Sequence, residues 1–184
     1  MARTQRVRVY LAGPAGVGKT TLAQGLAARY GFQRVALGDL VREECARRGL
    51  DLTRANLQAV GDAIRAEHDD DAALARLALD RALPGVRGVV VDGVRLVAEA
   101  EALREAGWIG VGVWAEPEAC ERRLLARDGA AHVPGHRTER EADHVRVDVW
   151  FETDDNPTHT WDGREWFVSW VTARAAARAA RALR

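Results

Sequence analysis

The chain has 184 residues, a formal net charge of +0 and two cysteines. This length suits a single α/β domain with its own core, and the neutral balance gives no electrostatic reason to expect nucleic acid or an anionic membrane as a partner. Cys45 and Cys120 lie in separate segments with helical patterns, which predicts no disulfide framework and fits a reducing cytoplasm. No segment approaches the ~18 apolar residues of a membrane span, so we expect a cytoplasmic protein without a membrane partner.

The first half of the chain alternates strand and helix patterns. Gly31 is predicted to stop the first helix, Asp39 to cap the second, Thr53 the third and Asp71 the fourth. The predicted elements are a strand at Val7–Ala12, a helix at Thr20–Tyr30, a strand at Phe32–Leu37 and helices at Leu40–Arg48, from Thr53 to about Glu67 and from Asp71 to about Ala82.

The second half continues the same alternation. The run from Gly88 to Asp92 is continuously β-branched, which is typical of a parallel strand buried on both faces. The predicted elements after it are a helix at Leu96–Glu105, a strand at Ile109–Trp114, a helix at Pro117–Arg127, a strand at Val145–Thr153 and a final helix at Glu165–Arg184. Asp128 to Asp143 has no apolar periodicity and predicts a mobile loop or short lid. The alternation predicts a largely parallel sheet of five strands with helices on both sides.

A glycine-rich loop joins the first strand to the first helix. Its residues satisfy the pattern G-x-x-x-x-G-K-[ST] between a strand and a helix, the context that a phosphate-binding loop requires. Such a loop wraps phosphates with backbone N–H groups, its lysine reaches the outer phosphates, and its hydroxyl residue ligates Mg²⁺. The predicted ATP-binding residues are Gly13, Ala15, Gly16, Val17, Gly18, Lys19, Thr20 and Thr21, with Thr20 also a Mg²⁺ ligand.

The composition supports this motif. Of the 27 basic residues, 26 are arginine, and the one lysine is Lys19. The chain therefore uses an ammonium group at the one position where a phosphate-binding loop needs a compact positive charge. The same count excludes a switch GTPase, because the guanine-reading N-K-x-D motif needs a further lysine. A motor or oligomeric ATPase would need more length for its sensor elements.

Asp92 ends the buried strand and is followed by Gly93. Its carboxylate is therefore expected at the carboxyl edge of the sheet, where open α/β sheets bind ligands. An aspartate at this place is the usual partner of a phosphate-binding loop, so Asp92 is the predicted second Mg²⁺ residue, directly or through water.

Two further segments carry a family resemblance. Leu37 to Arg42 and Val91 to Arg95 resemble the acceptor-site segments of nucleoside monophosphate kinases, which in the adenylate kinase type have the patterns G-D-x-x-R and D-G-x-x-R. The resemblance implies that Arg42 and Arg95 grip the acceptor's phosphate, a task that suits guanidinium groups. Asp39 is predicted to cap its helix, to orient the acceptor, or to do both.

The same resemblance assigns further arginines. It implies that Arg123 and Arg127, four residues apart on one helix face, reach the nucleotide phosphates, and that Arg137 and Arg140 of the lid close over them. The lid is shorter than in larger adenylate kinases, and the stretch from His136 to Asn156 resembles phage deoxynucleoside monophosphate kinases and dephospho-coenzyme A kinase-like proteins.

Together these features predict one domain over residues 1–184 with a three-layer α/β fold, a helical acceptor-binding region at about 39–82 and a short lid at about 128–143. The predicted activity is ATP- and Mg²⁺-dependent phosphoryl transfer to a nucleoside or deoxynucleoside monophosphate, and the predicted catalytic residues are Lys19, Asp39, Arg95, Arg123, Arg127 and Arg137. Two alternatives stay open: a kinase for a metabolite hydroxyl with Asp39 as base, and a non-catalytic ATP-binding regulator. The sequence leaves monomer and homodimer equally open.

Overall fold

The computed structural model describes residues 6–128, 137–153 and 164–182. Its centre is a five-stranded sheet in the order β2-β3-β1-β4-β5, and every neighbouring pair is parallel. This confirms the predicted five-stranded sheet. The strands are β1 (Val7–Ala12), β2 (Phe32–Ala36), β3 (Gly88–Val94), β4 (Ile109–Trp114) and β5 (Val149–Glu152).

Helices cover both faces of this sheet. They are α1 (Lys19–Tyr30), α2 (Leu37–Arg47), α3 (Arg54–Glu67), α4 (Ala73–Asp80), α5 (Val97–Glu105), α6 (Pro117–Asp128), α7 (Arg137–Arg140) and α8 (Arg164–Ala182), with a 3₁₀ turn at Ala142–His144. All but α7 and the 3₁₀ turn match predicted helices to within a few residues. Gly31 ends α1 with a φ of 68°, and the Thr53 hydroxyl accepts a hydrogen bond from the Asn56 amide, so both predicted caps are confirmed.

Two predicted caps are wrong. The second helix begins at Leu37 directly after β2, which places Asp39 inside its first turn, where its carboxylate binds arginines instead of the helix backbone. An acidic residue there still favours the positive end of the helix. At the fourth helix the Asp70 carboxylate accepts the Ala72 amide at 2.8 Å, so Asp70 and not Asp71 serves the helix start.

The core lies in two layers, one on each face of the sheet. On one face apolar residues of α2, α3, α4 and α5 form one buried cluster with residues of β1, β2 and β3, around residues such as Val41, Ile64 and Leu103. On the other face α1 packs on β3, β2 and β1, and α8 packs on β1 and β4, with Leu22, Leu26 and Phe167 buried. The three-layer α/β architecture is therefore confirmed, and it leaves the carboxyl ends of the strands free to carry a site.

The last helix follows its predicted pattern. Phe167, Val171 and Ala175 are buried at intervals of four residues, and Trp170 packs partly buried beside them. The sequence pattern of this helix also predicts that Trp166 faces the core, and its side chain lies outside the described residues.

The predicted lid is only partly described. Residues 129–136 lie outside the described residues, whereas α7 and the 3₁₀ turn give regular structure to a stretch predicted as a loop. The Val97 amide donates to the Glu141 carboxylate at 3.4 Å and so ties this stretch to the start of α5. Over the part of the chain that the structure describes, no helix is both long enough and apolar enough to span a membrane.

Candidate functional site

The loop after β1 has a conformation that requires glycine. Gly13, Gly16 and Gly18 have φ values of 134°, 83° and 90°, a region that other residues rarely adopt. A Cβ atom at Gly13 would collide with the Val113 carbonyl oxygen, and one at Gly16 would lie 2.8 Å from the Cys120 carbonyl oxygen. The loop is therefore fitted closely between β4 and α6, with its backbone at the start of α1, as a phosphate cradle needs.

Lys19 lies beneath this loop. Its side chain is buried, and its Nζ donates hydrogen bonds to the carbonyl oxygens of Gly13 at 2.7 Å and Pro14 at 2.6 Å. Burial and, next, the positive charge of Arg95 lower the pKa of Lys19 to about 7, although Asp92 acts in the opposite direction. The Arg127 charge also lowers the pKa of Lys19. The charges of Arg95, Asp92 and Arg127, from three separate segments, therefore all act on Lys19, and the roles predicted for these residues stay predictions.

The remaining loop positions fit the same cradle. Val17 is fully buried and anchors the loop, whereas Thr20 and Thr21 are exposed in the first turn of α1. Hydroxyl groups at this place are free to meet a ligand on the loop. Gly13, Ala15, Gly16 and Gly18 complete the loop, and their roles toward ATP stay predictions.

Asp92 occupies the predicted place near the end of β3, but its side chain is bound to an arginine that the sequence did not single out. Arg34 of β2 donates from Nη2 to Asp92 Oδ2 at 3.0 Å and from Nη1 to Asp39 Oδ2 at 3.2 Å. Arg42 donates to the other Asp39 oxygen at 2.6 Å. The predicted metal residue and the predicted acceptor residue are thus joined by one guanidinium group. From the sequence, any of the 26 arginines could have bound these two carboxylates. The pairing of β2 with β3 is what identifies Arg34.

Arg95 lies close enough to Lys19 to act on its pKa, but its segment matches the kinase pattern loosely. It stands three residues after Asp92, one fewer than in D-G-x-x-R. Glu99 holds this turn from below, because its Oε2 accepts the amides of Arg95 at 3.1 Å and Leu96 at 3.2 Å. The buried Arg65 of α3 donates to the other Glu99 oxygen at 2.8 Å. A glutamate at the third helical position is a capping signal that could have revealed Glu99.

Arg123 and Thr153 brace the loop from the side of α6 and β5. Arg123 Nη1 donates to the Gly16 carbonyl at 3.2 Å and to the Thr153 hydroxyl at 3.1 Å. That hydroxyl donates in turn to the Val17 carbonyl at 2.7 Å. Thr153 was missed because nothing in a strand-end threonine signals such a contact. The predicted contact of Arg123 with nucleotide phosphates stays a prediction.

Of the two predicted lid arginines, Arg137 lies at the start of α4. Arg137 Nη2 forms an ion pair with Asp71 at 2.7 Å, and its Nε lies 3.5 Å from Glu141. The hydrogen bond that Arg137 donates to the Asp71 carboxylate raises the pKa of Arg137. Arg140 is exposed. The structure brings Arg137 to the start of α4, and the closure of either arginine over ATP stays a prediction.

The chain is similar in sequence to known proteins. The family model described as "AAA domain" matches residues 12–130. The UPF0200 protein of Aeropyrum pernix is 40% identical over 129 residues, which are 69% of this chain and 68% of that protein.

Solved structures give the fold. A shikimate kinase from Acinetobacter baumannii in complex with shikimate superposes with a TM-score of 0.60 at 14% identity, covering 93% of this chain and 96% of the other. A gluconokinase from Sinorhizobium meliloti has a TM-score of 0.51 at 16% identity over 98% and 97%. This likeness extends to the fold alone, a P-loop kinase-like fold whose loop implies nucleotide binding. The chain belongs to the AAA domain family by its residues 12–130, and its sequence also groups it with the UPF0200 proteins.

Proposed function

We propose that this protein transfers the γ-phosphoryl group of ATP to a nucleoside or deoxynucleoside monophosphate and releases ADP and the nucleoside diphosphate. The observation that carries this proposal is that the charges of Arg95 and Arg127 both act on Lys19, while Arg42 binds Asp39 at the same edge of the sheet. A site for ATP alone needs the loop and its lysine. Further guanidinium groups beside the loop suit a second phosphate-bearing substrate.

The donor side follows from the loop. Backbone N–H groups and Lys19 hold the outer phosphates of ATP, and the residues that would hold Mg²⁺ are Thr20, exposed in the first turn of α1, and Asp92, at the end of β3. Hydroxyl and carboxylate oxygens are ligands that Mg²⁺ prefers. The ion, when bound, neutralises charge on the phosphate oxygens.

On the acceptor side, Arg42 and Arg95 bind the monophosphate and orient its oxygen toward the γ-phosphorus. Arg127 and the lid arginines Arg137 and Arg140 stabilise charge during transfer. Catalysis then consists of positioning and charge neutralisation, since a phosphate oxygen is already ionised and needs no general base. This chemistry asks nothing of Asp39 beyond holding arginines.

The same geometry supports a second candidate less well. Kinases that phosphorylate a hydroxyl group are among the proteins of similar fold, and Asp39, with its side chain about half exposed, is the residue that could take the hydroxyl proton. Both carboxylate oxygens of Asp39, however, accept hydrogen bonds from guanidinium groups. A carboxylate so engaged is a poor proton acceptor, which favours the phosphate acceptor.

The test offers purified protein ATP and Mg²⁺ with a panel of ribo- and deoxynucleoside monophosphates, dephospho-coenzyme A, shikimate and gluconate. ADP release is followed by a coupled assay, and the phosphorylated product is identified by mass spectrometry. We expect ADP only with a nucleoside monophosphate, in equal amount to the diphosphate formed. A phosphorylated hydroxyl would establish the second candidate. ATP binding without acceptor-dependent ADP would instead indicate a nucleotide-binding regulator, and Lys19→Met provides the background rate.

A further inference from the structure

Arg34 occupies a position between the two functional halves of the site. In the pairing of β2 with β3, Arg34 is opposite Val90 and Ala36 is opposite Asp92. Side chains two residues apart in a strand lie on the same face, so the Arg34 side chain runs along β2 toward Asp92. Beyond the end of β2 it also meets Asp39, the half-exposed carboxylate of α2.

The two ends of this guanidinium group differ in surroundings. Its Nη2 is bound to Asp92, whose side chain is only 4% exposed, whereas its Nη1 is bound to Asp39, whose side chain is 47% exposed. Its Nε is buried and has no hydrogen-bond acceptor among the residues that the structure describes. Buried donors usually find an acceptor. Because Nε makes no such bond, the position of the Arg34 guanidinium group is set by the two carboxylates that Nη1 and Nη2 bind. The guanidinium group of Arg34 therefore bridges two carboxylates, with one terminal nitrogen on each.

We infer that Arg34 is a positioning residue that balances the Asp92 carboxylate and competes with the Mg²⁺ of Mg²⁺-ATP for it. This inference rests on the proposed use of Mg²⁺ by Asp92. Two cations cannot both bind one carboxylate oxygen closely, because their charges repel at short range. Nη2 binds only Oδ2 of Asp92, and a metal on either oxygen of that carboxylate weakens or displaces this bond.

The bridge gives the displaced guanidinium group a second place to bind. Arg34 still has Asp39 as a partner through Nη1, beside the acceptor arginine Arg42. When the metal binds Asp92, the guanidinium group of Arg34 thus moves toward Asp39 and adds a positive charge on the acceptor side. In this way Arg34 links the loading of the donor nucleotide to the charge that meets the acceptor.

The test measures ATP binding and needs no catalysis. The Kd for ATP is measured by calorimetry at pH 8, without acceptor, once in excess Mg²⁺ and once in EDTA. The Kd in EDTA divided by the Kd in Mg²⁺ reports by how much Mg²⁺ strengthens ATP binding. In Arg34→Gln we expect this ratio to increase by about threefold to tenfold over the unaltered protein, because a competing unit charge is removed beside Asp92. Arg34→Lys, which keeps the charge but cannot divide a planar fork between two carboxylates, should fall between the two.

Arg104→Gln is the matched control. Arg104 forms a pair with Asp148 whose side chains are 21% and 6% exposed, close to the 23% and 4% of Arg34 and Asp92. Asp148 accepts a hydrogen bond from the Gly110 amide near the start of β4, away from the carboxyl ends of the strands that carry the site. The control should leave the ratio unchanged. An unchanged ratio in Arg34→Gln would overturn the inference, and so would a decrease, which would mean that Arg34 prepares Asp92 for the metal. ATP that fails to bind the unaltered protein would refute the proposed function instead.

Discussion

Arg65 of α3 donates a hydrogen bond to Glu99 of α5 across 2.8 Å, and both side chains are buried, at 8% and 1% exposure. The same glutamate holds the amides of Arg95 and Leu96. The pair therefore ties a helix of the predicted acceptor region to the turn that carries Arg95. Breaking a buried pair leaves a charge without compensation, which costs more than the pair itself contributes.

Glu99→Gln should therefore destabilise the protein, by about 3 kcal/mol, because the Arg65 guanidinium loses its buried carboxylate and keeps only the half-exposed Asp62 at 3.3 Å. The measurement is the free energy of unfolding in urea. In the double variant Arg65→Met/Glu99→Gln we expect part of the loss to be recovered, since no buried charge is left without a partner and Asp62 is half-exposed to water. The exposed pair of Arg81 and Glu43 supplies the control, and Glu43→Gln should not move the urea midpoint. Equal effects of Glu99→Gln and Glu43→Gln would contradict this account.

Lys19 should take up a proton when ATP binds at alkaline pH. Its pKa in the free protein is lowered to about 7, so at pH 8.5 it is mostly neutral. Nucleotide phosphates favour the charged form and raise this pKa again, which predicts uptake of about one proton at pH 8.5 and almost none by this group at pH 6. Calorimetry in two buffers with different ionisation enthalpies measures the uptake. Lys19→Arg, which stays charged throughout, should abolish it; identical heats in both buffers with the unaltered protein would count against the prediction.

The loop should tolerate no side chain at Gly16. Gly16→Ala adds a Cβ 2.8 Å from the Cys120 carbonyl oxygen at a φ of 83°, so the loop has to move and ATP affinity should fall below detection. Gly31→Ala is the control, because its φ of 68° is strained but no atom lies within 4 Å of the added Cβ. We expect that control to cost about 1 kcal/mol of stability with an unchanged Kd for ATP. If both variants bound ATP normally, the close fit of the loop to α6 would be irrelevant to binding.

Thr153 should support ATP binding without touching the nucleotide. Thr153→Val keeps the shape of the side chain but removes the hydroxyl that binds the Val17 carbonyl and receives Arg123. Leaving these groups without a partner should weaken ATP binding by about fivefold to tenfold, as measured by calorimetry. Thr172→Val removes a hydroxyl bonded to the Val168 carbonyl on the exposed side of α8 and should have no effect. Thr153→Ser should restore binding, and failure to do so would point to packing rather than to the hydroxyl.

Arg95→Ala should affect the acceptor more than ATP. The truncation removes a guanidinium group assigned to the acceptor's phosphate, so KM for the acceptor should rise by about tenfold or more. It also removes a positive charge that lowers the pKa of Lys19, which opposes any loss of ATP affinity. Initial rates at varied acceptor concentration, with the Kd for ATP measured separately, check this. An equal loss of ATP affinity would refute the assigned role.

Local signals were enough for the fold. A parallel sheet in a three-layer fold is predicted by the alternation of strands and helices, by the buried run of β3 and by the glycine-rich loop after β1. Each of these patterns is typical of one kind of structure. Helix starts were less predictable. Asp39 and Asp71 have the chemistry of caps, but Asp39 was taken by Arg34 and Arg42 and the fourth helix used Asp70 instead. Short polar residues near a helix start compete for that place, and the outcome depends on neighbours that are distant in sequence.

By itself the sequence determined the phosphate-binding loop, since its glycines and its one lysine have to be consecutive in the chain to form a cradle. It also determined that Asp92 lies near the end of a buried strand and that Arg95 follows that strand, because that is a matter of order along the chain. Only the tertiary structure decided which arginines meet which carboxylates. Arg34 reaches Asp92 across 58 positions, and Arg123 reaches Gly16 across 107. In a chain whose positive charges are almost all arginine, identity cannot distinguish one from another, and the packing of strands and helices selects the few that act.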